Sequence, residues 1–449
     1  MRHAPGSIMF PRFPSPLFAA LLLACASFST QAASPAPREA VADVAQAIEQ
    51  NFYDPERARS IARELRDEAG KGRYDRYTDP RDLATALSTR LSPLDGHFRV
   101  NWRQPDPRDA AAPPRIAGPG PGPHGPDEVD FSRRRNHGLR KVEVLPGNLG
   151  YIDLRELPDL QFGDPANPVR RALDAALQLV SATDAVIIDL RGNGGGSPAA
   201  VGYLTSAFTP KNANIYNSFR YREGDKSRTD SEAPLDWYPD PRLQVPLYVL
   251  TSARTGSAGE ALAYTLQSAG RAIVVGEHSA GAANPGGEFP LKQGFSVFVS
   301  GGSPTNPITH RNWEGDGVAP DVAVPQAEAL RKAQQLALEK VLQQLPAGAA
   351  QLDARWTLDA LRAQSAPARP LTRTDYLGQY DRIQIGEENG GLFLRNGKRP
   401  PQPLAALERD LFNVTDDPSV RVRFGRDASG QVTTLEVLRA DGSGSLYRR

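Results

Sequence analysis

Apolar positions along the chain fall into three regimes. Across residues 38–102 they recur at helical spacing, as in Glu39-Ala-Val-Ala-Asp-Val-Ala-Gln-Ala-Ile48, where alanine, valine and isoleucine share one helical face. Asp54-Pro55 sets an N-cap before a proline at the first helical position. It predicts a helix through 61–65, and a third is expected near 82–90. Across residues 141–346 short all-apolar runs alternate with helical stretches. Strands are expected at 149–154, 185–190, 247–251 and 272–275, and helices from Pro168 to 177, near 199–206 and after Ser257. A hairpin over 289–300 and an amphipathic helix over 327–345 close this region. The alternation predicts a mostly parallel sheet with right-handed crossovers. Ligand sites belong at the carboxyl ends of such strands. Across 370–449 the period falls to two. Gly391-Leu-Phe-Leu394 and Val420-Arg-Val-Arg-Phe424 are separated by turns such as Asn389-Gly-Gly391, Asp427-Ala-Ser-Gly430 and Asp441-Gly442. This reads as a small antiparallel β domain.

Two segments lack such patterning. Residues 1–32 read as a signal peptide: Arg2 and Arg12 are basic, residues 17–28 are a short apolar run, and Thr30-Gln-Ala32 offers small residues for cleavage. The run is too short for a comfortable membrane span. Cys25, the single cysteine, follows Leu22-Leu-Ala24, so lipidation there is the alternative to cleavage at Ala32. The protein is therefore expected in the periplasm or outside the cell, with a membrane anchor only if Cys25 is lipidated. Residues 103–140 contain Pro119-Gly-Pro-Gly-Pro123 and few apolar residues, and read as a linker.

Composition narrows the picture. The chain has 449 residues, 39% of them hydrophobic, and a net charge of +1. It is long enough to stabilise itself by packed cores without disulfides. Its near-neutral charge gives no reason to expect nucleic acid as a partner. It has no His-Glu-x-x-His and no paired cysteines, so no metal or other cofactor is expected.

The candidate chemistry lies at two turns. Thr255-Gly-Ser-Ala-Gly-Glu260 sits between an apolar run and a helix. A serine there either caps the helix or presents a nucleophile where the helix N-terminus favours developing negative charge. Glu260, one helical turn later, can close a capping box. Upstream, Asp189-Leu-Arg-Gly-Asn-Gly-Gly-Gly196 follows the buried run at 185–188. A glycine-rich turn after a strand leaves N–H groups free for an anion, which makes Gly194 and Gly195 candidate oxyanion donors. The other reading is a tight strand-to-helix turn. No Gly-Lys-Ser/Thr follows, so phosphate binding is disfavoured.

These two segments, with Gly276-Glu277-His-Ser-Ala-Gly281, resemble in order the core motifs of the carboxyl-terminal processing peptidase superfamily of serine peptidases. The resemblance covers about residues 140–345. It implies a Clp-protease/crotonase-like α/β core, here with an N-terminal helical domain and a C-terminal β domain. The latter resembles the lipocalin-like appendages of some periplasmic hydrolases. Members with a Ser-Lys dyad carry lysine directly after the Gly-Glu-x-x-x-Gly motif, where this chain has Ala282. It looks instead like the tricorn protease and interphotoreceptor retinoid-binding protein branch. Many processing peptidases also hold a PDZ domain where this chain has its short linker.

In tricorn-like members the base is an upstream histidine, and a glutamate beyond the nucleophile joins the catalytic group. Of six histidines, His97 in Leu94-Asp-Gly-His97 matches the Asp-x-His element of that branch. His3 lies in the leader and His124 in the linker. His137 adjoins an Arg-rich stretch, His278 lies in the Gly-Glu turn, and His310 is a competing loop candidate. Glu314 in Asn312-Trp-Glu-Gly-Asp-Gly-Val-Ala-Pro-Asp321 matches the glutamate element. In tricorn protease that glutamate acts through a serine beside the histidine. Here Gly96 stands in that place, leaving water or Asp95 to complete the relay. The implied mechanism has Ser257 as nucleophile, His97 as general base, and the Ala258 N–H with one of Gly194 and Gly195 at the oxyanion.

Two functions follow from these expectations. One is a secreted serine peptidase acting on peptides or unfolded proteins. The other is a binding protein for hydrophobic ligands or peptides, since the retinoid-binding relatives keep this fold as carriers.

Overall fold

A computed structural model describes residues 37–104, 132–365 and 372–449. The expected leader with Cys25, and most of the Pro/Gly-rich stretch, lie outside them. Three helices open the chain: α1 (Pro37–Asn51), α2 (Pro55–Gly70) and α3 (Pro80–Leu91). Asp54 caps α2 by accepting from the Glu56 N–H at 2.9 Å and the Arg57 N–H at 3.1 Å. Asp79 does the same for α3 through Arg81. The helices bury one stripe each, including Val41, Val44 and Ile48, then Ile61 and Leu65, then Leu83 and Leu87. After α3 the chain turns through Asp95-Gly96-His97 into β1 (Arg99–Trp102).

The body of the molecule alternates strands and helices. In order they are β2 (Leu139–Leu145), β3 (Leu149–Leu154), α4 (Pro168–Leu179), β4 (Ala185–Asp189), α5 (Pro198–Ser206), β5 (Ser218–Glu223) and β6 (Lys226–Ser231). There follow β7 (Leu247–Thr251), α6 (Ala258–Ser268), β8 (Ile273–Gly276), β9 (Gly286–Pro290), β10 (Phe295–Ser300), β11 (Gly302–Thr305), β12 (Val322–Ala323), α7 (Gln326–Leu342) and α8 (Ala349–Ser365). Six strands form one sheet in the order β12-β8-β7-β4-β3-β2, parallel except for β2. Every residue of β3, β4 and β7 is buried. Their continuous apolar runs follow from burial on both faces. Val186, Ile188, Leu247 and Val249 pack with Leu173, Leu204 and Leu262 of α4, α5 and α6. Ala185, Ile187, Tyr248 and Leu250 pack with Ala333, Leu338 and Leu358 of α7 and α8. Helix α8 was not anticipated from the sequence.

Strand β1 was also not anticipated. It pairs antiparallel with β10, which pairs with β9 as the expected hairpin. Phe98 and Val100 share a core with Phe52, Phe295, Val297 and Val299. The helical region is thereby sewn into the body next to His97. A second small sheet has the order β11-β5-β6.

The C-terminal part is an eight-stranded antiparallel meander: β13 (Gly378–Tyr380), β14 (Ile383–Glu388), β15 (Gly391–Asn396), β16 (Gln402–Glu408), β17 (Leu411–Val414), β18 (Asp417–Arg426), β19 (Val432–Arg439) and β20 (Gly444–Arg448). Asn389 and Gly390 both take positive φ at the β14–β15 turn, as a tight hairpin requires. Tyr376, Tyr380, Phe412 and Phe424 form an aromatic centre. Arg421 of β18 reaches Asp359 at 2.7 Å and lies 4.6 Å from the Trp356 ring, joining the sheet to α8. The mixed α/β body with an N-terminal helical region and a C-terminal antiparallel sheet agrees with the sequence reading. Among the described residues no helix is long and apolar enough to cross a membrane.

Candidate active site

Strands β4 and β7 are parallel neighbours, so the turns after them emerge side by side at one sheet edge. Hydrogen bonds stitch the two together. The Thr255 hydroxyl donates to the Leu190 carbonyl at 2.7 Å, the Ser252 hydroxyl to that of Arg191 at 2.6 Å, and the Gly256 N–H to that of Asn193 at 2.9 Å. The Gly259 N–H then donates to the Gly256 carbonyl at 2.9 Å, closing a four-residue turn. Its first central residue, Ser257, has φ 50° and ψ −120°. These are type II′ values, which favour glycine. Holding a serine there costs on the order of 1–3 kcal/mol. Ser257 stands at the N-terminus of α6 in capping-box geometry with Glu260, as the sequence allowed.

Glu260 also holds the start of the helix. This carboxylate is fully buried. It accepts from the Ser257 N–H at 2.7 Å, the Ser279 hydroxyl at 2.6 Å, the Gly281 N–H at 2.6 Å and the Ala282 N–H at 3.0 Å. Burial pushes the carboxyl pKa up, and the four donors oppose it. Ala282 thus meets the site through its backbone.

The glycine-rich turn lies against the serine. Gly195 has φ +119°, and a Cβ there would fall 2.7 Å from Ser257 Cβ. The Gly195 N–H donates to Asn193 Oδ1 at 2.8 Å, so it is not open to an oxyanion. Asn193 is itself fully buried and donates to the Leu154 carbonyl at 3.0 Å. The N–H groups of Gly194 and Ala258 have no acceptor among the described residues. Of the expected oxyanion donors, those two remain available. Asn193 was not singled out by sequence reasoning, although it lies inside the motif.

His97 and Glu314 come together on the other side of the loop 279–284. Glu314 accepts from the Gly96 N–H at 3.1 Å through Oε1, and from the Ala283 and Asn284 N–H groups at 2.7 and 3.0 Å through Oε2. The same loop binds Glu260, so a continuous network runs from Ser257 through Glu260 and residues 281–284 to Glu314 and the His97 turn. Trp313 anchors this end by packing on Tyr264 of α6 at 5.2 Å between ring centroids. The His97 ring stacks on Phe298 at 5.7 Å. Asp95, 4% exposed, accepts from the His97 N–H and the Ser300 hydroxyl, both at 2.9 Å, and from Asn284 Nδ2 at 3.0 Å. Donor atoms of Asp95, His97 and Glu314 all lie within 4.8 Å of one another. Both carboxylates already accept three hydrogen bonds, which ties them into one network with the backbone of the His97 turn and the 281–284 loop. Asn284 and Ser300 are part of it although no motif in the sequence marks them. His278 and His310 are exposed, the latter in a loop tied to Asn306.

Residues 148–324 match the family model described as Peptidase family S41. Carboxyl-terminal-processing peptidase 1, chloroplastic, of Arabidopsis thaliana is 29% identical over 195 residues, covering 43% of this chain and 37% of that protein. The carboxyl-terminal-processing protease of Synechocystis sp. is 31% identical over 183 residues, covering 40% and 39%. In both, the matched part is less than half of the relative's length. Among solved structures, the photosystem II D1 C-terminal processing protease aligns over 68% of this chain and 98% of its own, at 16% identity and a TM-score of 0.40. Residues 148–324 therefore resemble peptidase family S41, and the chain spans less than half the length of the curated processing peptidases it matches.

Proposed function

We propose that this protein is an exported serine peptidase that cleaves peptides or unfolded proteins through an acyl-enzyme on Ser257. The observation that carries the reading is the Ser257 backbone, φ 50° and ψ −120°, at the start of α6. Strained backbone at a helix N-terminus has a chemical use when the side chain must reach a substrate. Ser257 Oγ bonds to the substrate carbonyl carbon as its proton passes to His97. The carbonyl oxygen becomes an anion between the Ala258 and Gly194 N–H groups, next to the positive end of the α6 dipole. The C–N bond then breaks, and the leaving amine takes the proton from His97. Water adds to the acyl group by the same route in reverse and releases a carboxylic acid. Glu314 holds the Gly96–His97 turn in place. Export follows from the leader read at 1–32, in the periplasmic or extracellular space. Anchoring to a membrane follows only from lipidation at Cys25.

The test is labelling of the purified protein with a fluorophosphonate probe, with the modified residue located by mass spectrometry. Labelling at Ser257, abolished by Ser257→Ala and slowed by His97→Ala, is the expected result. A folded protein that resists the probe, or is labelled on another residue, overturns the proposal and points to the carrier function.

A further inference from the structure

We infer that Asp95 is the positioning residue for His97, taking its Nδ1–H, while Glu314 acts on the backbone around it. The inference rests on the peptidase reading above. A general base that uses Nε2 needs its other nitrogen held as N–H by an acceptor, which fixes the tautomer and the ring. His97 Nδ1 is buried and has no hydrogen-bond partner. Asp95 Oδ1 stands 3.9 Å from it, with the Asp95 side chain 1% exposed. Hydrogen bonds of catalytic groups are often long before substrate binds.

The competing carboxylate is differently engaged. Both Glu314 oxygens accept backbone N–H groups, from Gly96, Ala283 and Asn284. These bonds hold the turn that carries the histidine, not the imidazole. Asp95 also takes the His97 backbone N–H at 2.9 Å, so its carboxylate and the ring belong to one local turn. Asn284 and Ser300 fix the carboxylate from the core side. Glycine at position 96 is consistent with this division of labour. No side chain is needed between Glu314 and His97 if the imidazole pairs with Asp95. Space is not the reason for the glycine, since a Cβ there would make ordinary contacts, 3.5 Å to the Gly281 carbonyl and 3.6 Å to Glu314 Oε1.

Asp95 and Glu314 lie close to His97, and Tyr53 interacts with both carboxylates and with Arg57. Burial raises the Tyr53 phenol, and Arg57 opposes that rise. Replacing Asp95 by asparagine is structurally conservative. The amide oxygen still accepts from the His97 backbone N–H and Ser300, and its NH2 takes the place of Oδ2, where Asn284 turns its own amide over to accept through an Oδ1 that is otherwise buried without a partner.

The experiment uses the full chain with 15N-labelled histidine, His97→Ala assigning the His97 signal. An Nδ1–H proton resonance of His97 at low field is expected in the wild type, kept in Glu314→Gln and lost or moved strongly upfield in Asp95→Asn. In parallel, the rate of fluorophosphonate labelling at Ser257 is measured. Asp95→Asn is expected to slow it by about 100-fold or more. Gly96→Ser, which offers Glu314 a hydroxyl, is expected to leave the resonance in place. The inference is overturned if Asp95→Asn keeps the low-field resonance, or if Glu314→Gln removes it. A wild type that resists the probe overturns the peptidase reading alone, since the resonance still reports the Asp95 pairing.

Discussion

Gly195 and Ser257 touch across the two turns: a methyl group on Gly195 would lie 2.7 Å from Ser257 Cβ and 3.2 Å from its Oγ. Such a separation is too short for two carbon atoms, and the Gly195 φ of +119° adds strain for any side chain. Gly195→Ala should therefore push the serine out of line while leaving the sheet intact. A displacement of about 1 Å at a reacting centre costs on the order of 100-fold in rate. The expected outcome is a fluorophosphonate labelling rate reduced by at least that factor. Gly194→Ala, with nothing within 4 Å of its added carbon, should slow labelling far less. Equal rates for the two variants would show that contact with Ser257 is not what requires glycine at 195.

Glu260 joins three backbone N–H groups and one hydroxyl at a point with no access to water. Glu260→Ala leaves those donors facing a void. Each buried donor without a partner costs about 1–3 kcal/mol, and partial collapse offsets some of the sum. A loss of about 3 kcal/mol or more in urea unfolding is expected, together with loss of probe labelling because the Ser257 N–H is released. Full stability in this variant would mean that Glu260 only fills space.

The parallel sheet was legible because β4 and β7 are unbroken apolar runs ending at glycine-rich or small-residue turns. Asp54-Pro55 marked the start of α2 equally well, since the cap and the ring act locally. What escaped was set by distant partners. Strand β1 is four residues long with every second residue exposed, and only pairing with β10, far along the chain, makes it a strand. Helix α8 has its apolar residues directed partly to α7 and partly to the C-terminal sheet, so no single stripe announces it. At the site, Ser257 and Glu314 could be picked out by motif. Asn284 and Ser300 could not, because an amide and a hydroxyl carry no signal until the fold sets them on Asp95. The engagement of the Gly195 N–H by Asn193 is likewise a matter of side-chain placement.

Glu314 is expected to act as a clamp between the His97 turn and the 281–284 loop. Its carboxylate is the acceptor for the N–H groups of Gly96, Ala283 and Asn284, at 3.1, 2.7 and 3.0 Å. Removing it in Glu314→Ala should open these amides to solvent without unfolding the central sheet. Hydrogen exchange read by mass spectrometry checks this. Faster exchange confined to peptides spanning 95–98 and 281–285 is the expected pattern. Unchanged protection there would show that other contacts hold the turn.

Glu232 provides a pH-dependent test outside the site. It is almost wholly buried, at 3% exposure. One oxygen accepts from Asn217 Nδ2 at 2.7 Å and the Thr265 hydroxyl at 3.4 Å, while the other has no partner. Burial pushes this carboxyl up to about 8 from an ordinary 4.5, against the smaller effect of its hydrogen bonds. Below pH 4.5 the group is protonated in both folded and unfolded chains and does not oppose folding. Between 4.5 and about 8 the unfolded chain releases the proton while the folded one keeps it, so stability falls as pH rises through that window. Glu232→Gln removes the titration and keeps the oxygen that faces Asn217. The variant should be more stable than the wild type at pH 9, by about 1–3 kcal/mol, and close to it at pH 4. Because Thr265 lies on α6, two turns beyond Ser257, the same substitution should also flatten any decline in probe labelling caused by unfolding at alkaline pH. Melting curves of both proteins across that range check the prediction, and parallel stability profiles would show that Glu232 ionises in the folded state without cost.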